Sequence, residues 1–231
     1  MSQYPPTVLI IPAYNEQDSI GKVLDAIPLW VTHTIVVNNN STDRTAEVAD
    51  AHGAIVVHEP QPGYGHACLA GIERARDFGP TWIGFIDGDY SDYPEELDLL
   101  VRPMHEGTAQ FVIGSRDARF RESGSMTLPQ IFGNWLATTL MRMLFGSRFR
   151  DLGPFRVMTW DVLESLEMED TTYGWTVEMQ LKVLRKKIPY AQVPVHYRNR
   201  IGISKISGTV KGAIFAGVKI LGWIFKYGLS K

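Results

Sequence analysis

At 231 residues, with 45% hydrophobic and 21% charged side chains, the chain has the composition of a protein that buries a sizeable core, which excludes intrinsic disorder. A formal net charge of -2 excludes an overall basic field for nucleic acid, although the last third is locally rich in Lys and Arg. The single Cys68 excludes an internal disulfide and has no second Cys or paired His at metal-ligand spacing.

That cysteine usage suits a reducing cytoplasm, with a reactive thiol as the lesser reading. The opening Met1 to Pro6 has no positive segment followed by an apolar one, so the expectation is a cytoplasmic protein rather than a secreted one. Val8-Leu9-Ile10-Ile11 reads as a buried strand ending at Pro12. Further apolar runs follow at Thr34 to Val37, Ala54 to Val57, Trp82 to Ile86 and Phe111 to Ile113, each closed by a polar or glycine turn. Helical periodicity separates most of them, as in Ile20, Val23, Leu24 and Ile27. Alternating strands and helices predict an α/β fold with a mostly parallel central sheet flanked by helices, whose ligands bind where the strands end. The second half predicts helices from about Leu128 to Leu144 and Trp175 to Lys186, with a short extended piece at Phe155 to Thr159. No fixed-period repeat or low-complexity linker interrupts the chain, so residues 1–231 are expected to form a single domain.

The strand at Trp82 to Ile86 runs directly into Asp87-Gly88-Asp89. Hard oxygen ligands on alternate residues suit Mg²⁺ or Mn²⁺ bridged to a diphosphate. The competing reading is a helix start, with Ser91 or Asp92 capping the segment at Tyr93-Pro94-Glu95-Glu96. Other strand ends carry Pro12-Ala13-Tyr14-Asn15-Glu16 and Asn38-Asn39-Asn40-Ser41-Thr42-Asp43. Gly63-Tyr64-Gly65 precedes a helix and reads either as a phosphate cradle or as a plain helix entry. In Gly114-Ser115-Arg116 the arginine fork suits a phosphate, against the alternative of a surface arginine. Arg198-Asn199-Arg200-Ile201-Gly202-Ile203-Ser204-Lys205 places three cations and a flexible glycine together, which suits a loop over a diphosphate or else a solvated basic surface. From Ile206 to Leu229 the chain is apolar with Lys211, Lys219 and Lys226 on one helical face. Such an amphipathic C-terminal helix suits a membrane interface, packing on the body of the domain, or a partner subunit.

The segments PAYNE, NNNSTDRT, PGYGHACLAGI, DGDYSDYPEEL, GSR, DLGPFR and GISK resemble, in content and order, the inverting glycosyltransferases of family 2. Within that family the chain is similar to dolichol-phosphate mannose synthase and bacterial polyprenyl-phosphate glycosyltransferases. The resemblance implies a GT-A fold, the Rossmann-like fold of nucleotide-diphospho-sugar transferases. A nucleotide-binding half is then expected at about 1–115, an acceptor half at about 116–205 and the helix at about 206–229. It also implies a nucleotide site of Pro12, Tyr14, Glu16, Asn39, Asp43, Gly65, Asp87 and Gly88, and a metal site of Asp87, Asp89 and Ser91. Tyr14 suits packing on a base, Glu16 suits ribose hydroxyls, and Asn40 suits a left-handed turn. The bland reading of Asn40 to Asp43 is turn and helix-cap chemistry. By the same resemblance Asp151 faces the cleft, while Arg200 and Lys205 close on the donor phosphates.

Departures from the polyprenyl-phosphate pattern fall at four sites. Ser91 replaces a longer Gln ligand, so that water or Asp92 completes the octahedron, and Asn38-Asn39 replaces an acidic pair in the base pocket. Met126 and Gln130 stand where Arg and Ser are usual, and Asn199 takes the place of an Arg. A hydroxyl acceptor on a sugar, lipid or small molecule therefore stands beside the lipid phosphate. A hydroxyl needs a general base, for which Glu178 is the candidate. The expected catalytic set is Asp89, Arg116, Asp151, Glu178, Arg200 and Lys205, acting on a nucleotide-sugar donor of the GDP-mannose or UDP-glucose type. A catalytically silent nucleotide-sugar-binding module is the remaining alternative. The location expected is the cytoplasm, with peripheral attachment to the cytoplasmic face of a membrane as its variant. Nucleic acid is not an expected partner, and the sequence leaves the oligomeric state open.

Overall fold

The computed structural model describes residues 3–202 and the backbone of 210–229, with side chains in that last stretch from 217 to 228. In chain order the elements are β1 (Thr7–Ala13), α1 (Ile20–Asp25), β2 (His33–Asn38), α2 (Thr45–Ala51), β3 (Ile55–His58), α3 (Tyr64–Ala75), β4 (Trp82–Phe85) and α4 (Leu97–His105). They continue as β5 (Phe111–Ser115), α5 (Leu128–Phe145), β6 (Arg156–Thr159), α6 (Trp160–Leu166), α7 (Trp175–Arg185), β7 (Tyr190–Pro194) and α8 (Val210–Leu229). The seven strands form one sheet in the order β3-β2-β1-β4-β6-β5-β7. Every pairing is parallel except the two made by β6, which lies antiparallel to β4 and β5.

Alternation along β1 sends Val8 and Ile10 to one face and Leu9 and Ile11 to the other. Helices α3 and α5 to α8 cover the first face, and α1, α2 and α4 cover the second. With both faces buried, the central strands β1 and β4 run without the alternation of a half-exposed strand. Strand β1 runs one residue past Pro12, further than its sequence suggests. Ala13 O accepts from Asn39 N on the β2 side, whereas Ile10 O accepts from Ile86 N on the β4 side. Pro12 therefore turns its nitrogen toward the side where β4 pairing has already ended at Phe85, so it costs the sheet no hydrogen bond.

Strand β7 was not legible in the sequence, because Tyr-Ala-Gln-Val-Pro is short, half-exposed and lies at the sheet edge. The helix read at Leu128 is α5, closed at its start by a capping box. Thr127 Oγ1 accepts from Gln130 N at 3.4 Å while Gln130 Oε1 accepts from Thr127 N at 2.8 Å. Helix α8 docks on the body, burying Trp223 and Ile224. Its described lysines reach carboxylates of the domain: Lys219 Nζ lies 3.1 Å from Asp170 Oδ2, and Lys226 Nζ lies 3.9 Å from Glu169 Oε2. Lys211 lies where side chains are outside the described residues.

Because β6 is reversed, its start rather than its end lies at the edge where β1, β2, β4 and β5 finish. Residues 151 to 155, which lead into β6, thus reach the same crevice as the loops that leave the parallel strands.

Candidate active site

Two adjoining cavities open at that edge, of about 340 and 310 Å³. They share a wall made of Tyr64, Asp87, Asp89, Tyr173 and Arg200. The first is lined by the ends of β1, β2 and β4, through Pro12, Tyr14, Glu16, Asn39, Asn40 and Gly88. Its rim is built from two interlocked turns. Asn15 and Asn40 both adopt left-handed backbone, with φ of 54° and 65°. Asn15 Oδ1 accepts from Thr42 N at 2.8 Å, and Ser41 Oγ accepts from Asn15 N at 3.0 Å. Tyr14 is left 44% exposed in the lining of this cavity. Glu16 is nearly buried and accepts from Ser19 Oγ at 3.0 Å.

Asn39 lines this cavity but spends its amide on the neighbouring loop. Its Nδ2 donates to Glu59 O at 3.0 Å and Gln61 O at 2.7 Å, and its Oδ1 accepts from Gly63 N at 2.9 Å. Asp43 lies outside the lining and holds the entry to α2, accepting from Thr45 N at 2.9 Å and Gln17 N at 3.2 Å. Gly65 is also outside it. A Cβ there would lie 2.0 Å from Asp170 O, so the glycine is needed where α3 crosses the 170–171 backbone. Gly63 takes the lining position instead.

At the shared wall Asp89 is buried and Asp87 half-buried. Burial, and then the charge of Asp89, push the Asp87 carboxyl up to about 7 against the pull of Arg200. Tyr64 donates to Asp87 Oδ1 at 3.1 Å. Arg200 pairs with Asp89 Oδ2, and Ile201 N donates to the Asp89 carbonyl at 3.0 Å, which fixes the 198–201 loop on the metal-type motif. Ser91 Oγ donates to Asp89 Oδ1 at 2.5 Å, so the hydroxyl orients that carboxylate. Asp92 turns away from both cavities. Its buried carboxyl has no hydrogen-bond partner among the described residues, and burial followed by the Asp87 charge raise it well above the usual range.

The second cavity takes Arg116, Met126, Gln130, Asn134, Leu152 and Tyr197. Arg116 is clamped by Asp151, which accepts from its Nε at 2.8 Å, its Nη2 at 2.7 Å and its backbone N–H at 2.8 Å. Burial opposes ionisation of Asp151, but the charge and hydrogen bonds of Arg116 outweigh it and hold the carboxyl below its ordinary range. Asp151 thus positions an arginine at the cleft and does not itself line it.

Of the basic loop, Arg200 reaches the cleft while Arg198 is held outside, its Cζ 3.5 Å from the Tyr90 ring and 3.8 Å from the Tyr93 ring. Lys205 lies outside the described residues. Glu178 lines neither cavity. Its side chain is fully buried on α7, 2.8 Å from Lys182 Nζ, and it accepts from Glu169 N at 2.9 Å and Asp170 N at 2.8 Å. Three tyrosines were missed in the sequence: Tyr64, Tyr173 and Tyr197. Only Tyr64 carried a local signal, from its place between two glycines before α3. Tyr197 is brought in by isolated bridges to Asp92 and Arg121, which no local pattern announces.

Comparison with known proteins accords with this geometry. A solved structure of glucosyl-3-phosphoglycerate synthase from Mycobacterium tuberculosis, in complex with Mn²⁺, UDP and glucosyl-3-phosphoglycerate, superposes with a TM-score of 0.79. It is 22% identical and the match covers 98% of this chain and 81% of that one, which shows a GT-A fold. An uncharacterized glycosyltransferase of Mycobacterium tuberculosis is 35% identical over 216 residues, 90% of this chain and 93% of the relative. The undecaprenyl-phosphate mannosyltransferase of Micrococcus luteus is 28% identical over 224 residues, 90% of each chain. The profile of Glycosyl transferase family 2 matches residues 8–166. The chain belongs to glycosyltransferase family 2 and is a transferase of that family.

Proposed function

We propose that the protein is a metal-dependent, inverting hexosyltransferase that moves a sugar from a nucleotide-diphosphate donor, of the GDP-mannose or UDP-glucose type, to a polyprenyl phosphate. The observation that carries this reading is the lining of the second cavity. Among the described residues it holds two arginines, Arg116 and Arg200, and no carboxylate other than Asp87 and Asp89. An ionised phosphate is already a nucleophile and needs no general base, whereas a hydroxyl acceptor does. Glu178, the candidate base for such an acceptor, is committed to Lys182 and two backbone N–H groups. The activity on undecaprenyl phosphate in the name of the Micrococcus relative supports the same choice.

In this reading Tyr14 packs on the base, Glu16 accepts from the ribose, and the donor diphosphate lies along the shared wall. Asp87 and Asp89 fit a hard divalent cation. They are neighbouring carboxylates on alternate residues, burial and then the charge of Asp89 raise Asp87, and Tyr64 and Ser91 orient them. No cluster of three or more His, Cys, Asp or Glu that would hold a metal alone occurs among the described residues, so the remaining ligands come from phosphate and water. Mg²⁺ or Mn²⁺ bound there takes up charge on the departing nucleoside diphosphate, and the Mn²⁺ and UDP of the structural neighbour support that assignment. Arg200 stabilises the same charge from the loop side, and Arg116 orients the acceptor phosphate. The acceptor oxygen attacks the anomeric carbon from the face opposite the leaving diphosphate, inverting it.

A lipid acceptor calls for contact with a membrane surface. No described helix is long and apolar enough to cross one. The lysines of α8 described here face the domain, whereas α5 exposes Leu128, Phe132 and Trp135 on one face beside the cavity residues Pro129 and Gly133. We assign peripheral membrane contact to α5.

The test is transfer from GDP-mannose and UDP-glucose to a short polyprenyl phosphate with Mn²⁺ or Mg²⁺. Transfer lost in EDTA and in Asp89→Asn, with the variant folded, is the expected result. Undiminished turnover in EDTA would overturn the metal assignment, and transfer to hydroxyl acceptors but not polyprenyl phosphate would overturn the acceptor.

A further inference from the structure

A third cavity, of about 530 Å³, lies at the edge of the sheet under β7 and shares no lining residue with the two at the active site. Three arginines converge on it: Arg119, Arg148 and Arg150. The one carboxylate in its lining, Asp117, pairs with Arg119 through Nη2 at 3.2 Å. Arg148 and Arg150 have no carboxylate partner within ion-pair distance among the described residues. The cavity therefore carries two cations in excess.

These two arginines are presented by a fixed segment. Arg148 N donates to Tyr190 Oη at 2.9 Å, Arg150 N donates to Gln192 Oε1 at 2.7 Å, and Gln192 Nε2 donates to Arg148 O at 2.7 Å. Phe149 between them is fully buried and stacked on Tyr190 with ring centroids 4.2 Å apart. A backbone stapled on both sides of a buried ring places residues 148 and 150 on the opposite side from that ring. The charge of Arg150 also reaches Asp117, but that carboxylate is already paired with Arg119, so neither Arg148 nor Arg150 has an ion-pair partner of its own among the described residues. An arginine fork is matched by phosphate oxygens, and a preorganised backbone lowers the ordering cost of binding them.

We propose that this cavity is a binding site for a phosphate-bearing molecule, separate from the donor and acceptor cleft, with Arg148 and Arg150 as its principal contacts. The shared chemistry fits a free phosphate compound or the headgroup of an anionic lipid.

The experiment measures inorganic pyrophosphate binding to the full chain by calorimetry without metal, alongside sedimentation with vesicles of phosphatidylcholine with and without phosphatidic acid. Arg148→Gln/Arg150→Gln and Arg200→Gln are compared with the parent, each checked by circular dichroism. Both arginines of the double variant are exposed and the loop is held by its backbone, so the fold is expected to survive. Pyrophosphate binding weakened by about tenfold or more in the double variant and retained in Arg200→Gln supports a site for free phosphate compounds. Sedimentation that needs phosphatidic acid and is lost only in the double variant, without pyrophosphate binding, supports a lipid headgroup site. Binding lost in Arg200→Gln but intact in the double variant, or no binding of either probe to the parent, overturns the proposal.

Discussion

Arg116 and Asp151 form a two-pronged ion pair, Nη2 to Oδ1 at 2.7 Å and Nε to Oδ2 at 2.8 Å, with both side chains largely removed from water. Removing one charge strands the other at the wall of the second cavity. Asp151→Asn is expected to destabilise the protein by about 3 kcal/mol in urea denaturation. It should also lower kcat/KM by about tenfold or more through misdirection of Arg116, with the greater effect on the KM for acceptor.

Glu178→Gln separates a structural carboxylate from a base. The buried pair with Lys182 predicts a loss of about 3 kcal/mol in unfolding free energy. Turnover per folded molecule should stay within about threefold of the parent, against the loss of about 100-fold or more that a removed general base produces. A loss of that size would reinstate the hydroxyl acceptor.

Ser91→Ala removes the hydroxyl that orients Asp89 without touching either carboxylate. Groups of this kind change metal affinity by about tenfold or more when removed. The Mn²⁺ concentration giving half-maximal activity should rise accordingly, while the rate at saturating Mn²⁺ stays close to that of the parent.

Docking of α8 should fail in acid. Burial would raise the Asp170 carboxyl, but hydrogen bonds from Trp223, Thr172 N–H and Lys219 outweigh it and depress it below its ordinary range. A depressed carboxyl contributes stability above its unfolded value, near pH 4, that is lost as pH falls through the folded value. Tryptophan fluorescence should therefore show a transition below about pH 4 that is absent in Trp223→Phe, and Asp170→Asn should loosen the helix already at neutral pH.

Replacing the exposed Trp135 by Ser should reduce sedimentation with vesicles that contain polyprenyl phosphate by about tenfold, since an exposed indole at a bilayer surface contributes both area and anchoring. Lys226→Gln, on the face of α8 that meets the domain, should leave it unchanged. The opposite pattern would move the membrane contact to α8.

The strands and their polar ends were legible because both faces of the sheet are buried. That burial makes Val8 to Ile11 or Trp82 to Ile86 continuously apolar up to the turn. Motif order likewise pointed to Asp87, Asp89, Glu16 and Arg200. Spacing could not distinguish a ligand contact from the packing that supports it. Gly65 serves the crossing of α3 over residues 170–171, Asp43 holds α2, and Glu178 is enclosed beside Lys182. All three depend on contacts distant in sequence or on burial that the local pattern does not carry. Tyr173 and Tyr197 were invisible for the same reason. The lysine face of α8 left a membrane, the domain body and a partner subunit equally open, because cations at helical spacing look alike whether they meet lipid phosphate or, as Lys219 does, Asp170.

The reversed strand β6 also acts as a caliper. Its register sets Val157 opposite Gly84 and Arg156 opposite Phe85 on one side, and Val157 opposite Val112 on the other. Slippage by one residue would carry Asp151 about 3.3 Å along the sheet and exchange the two faces of the strand. The gap between the Asp87–Asp89 pair and Arg116 is therefore gauged by backbone pairing deep in the core. Substitutions at Gly84 or Val157 are placed to alter that gap without touching the cleft.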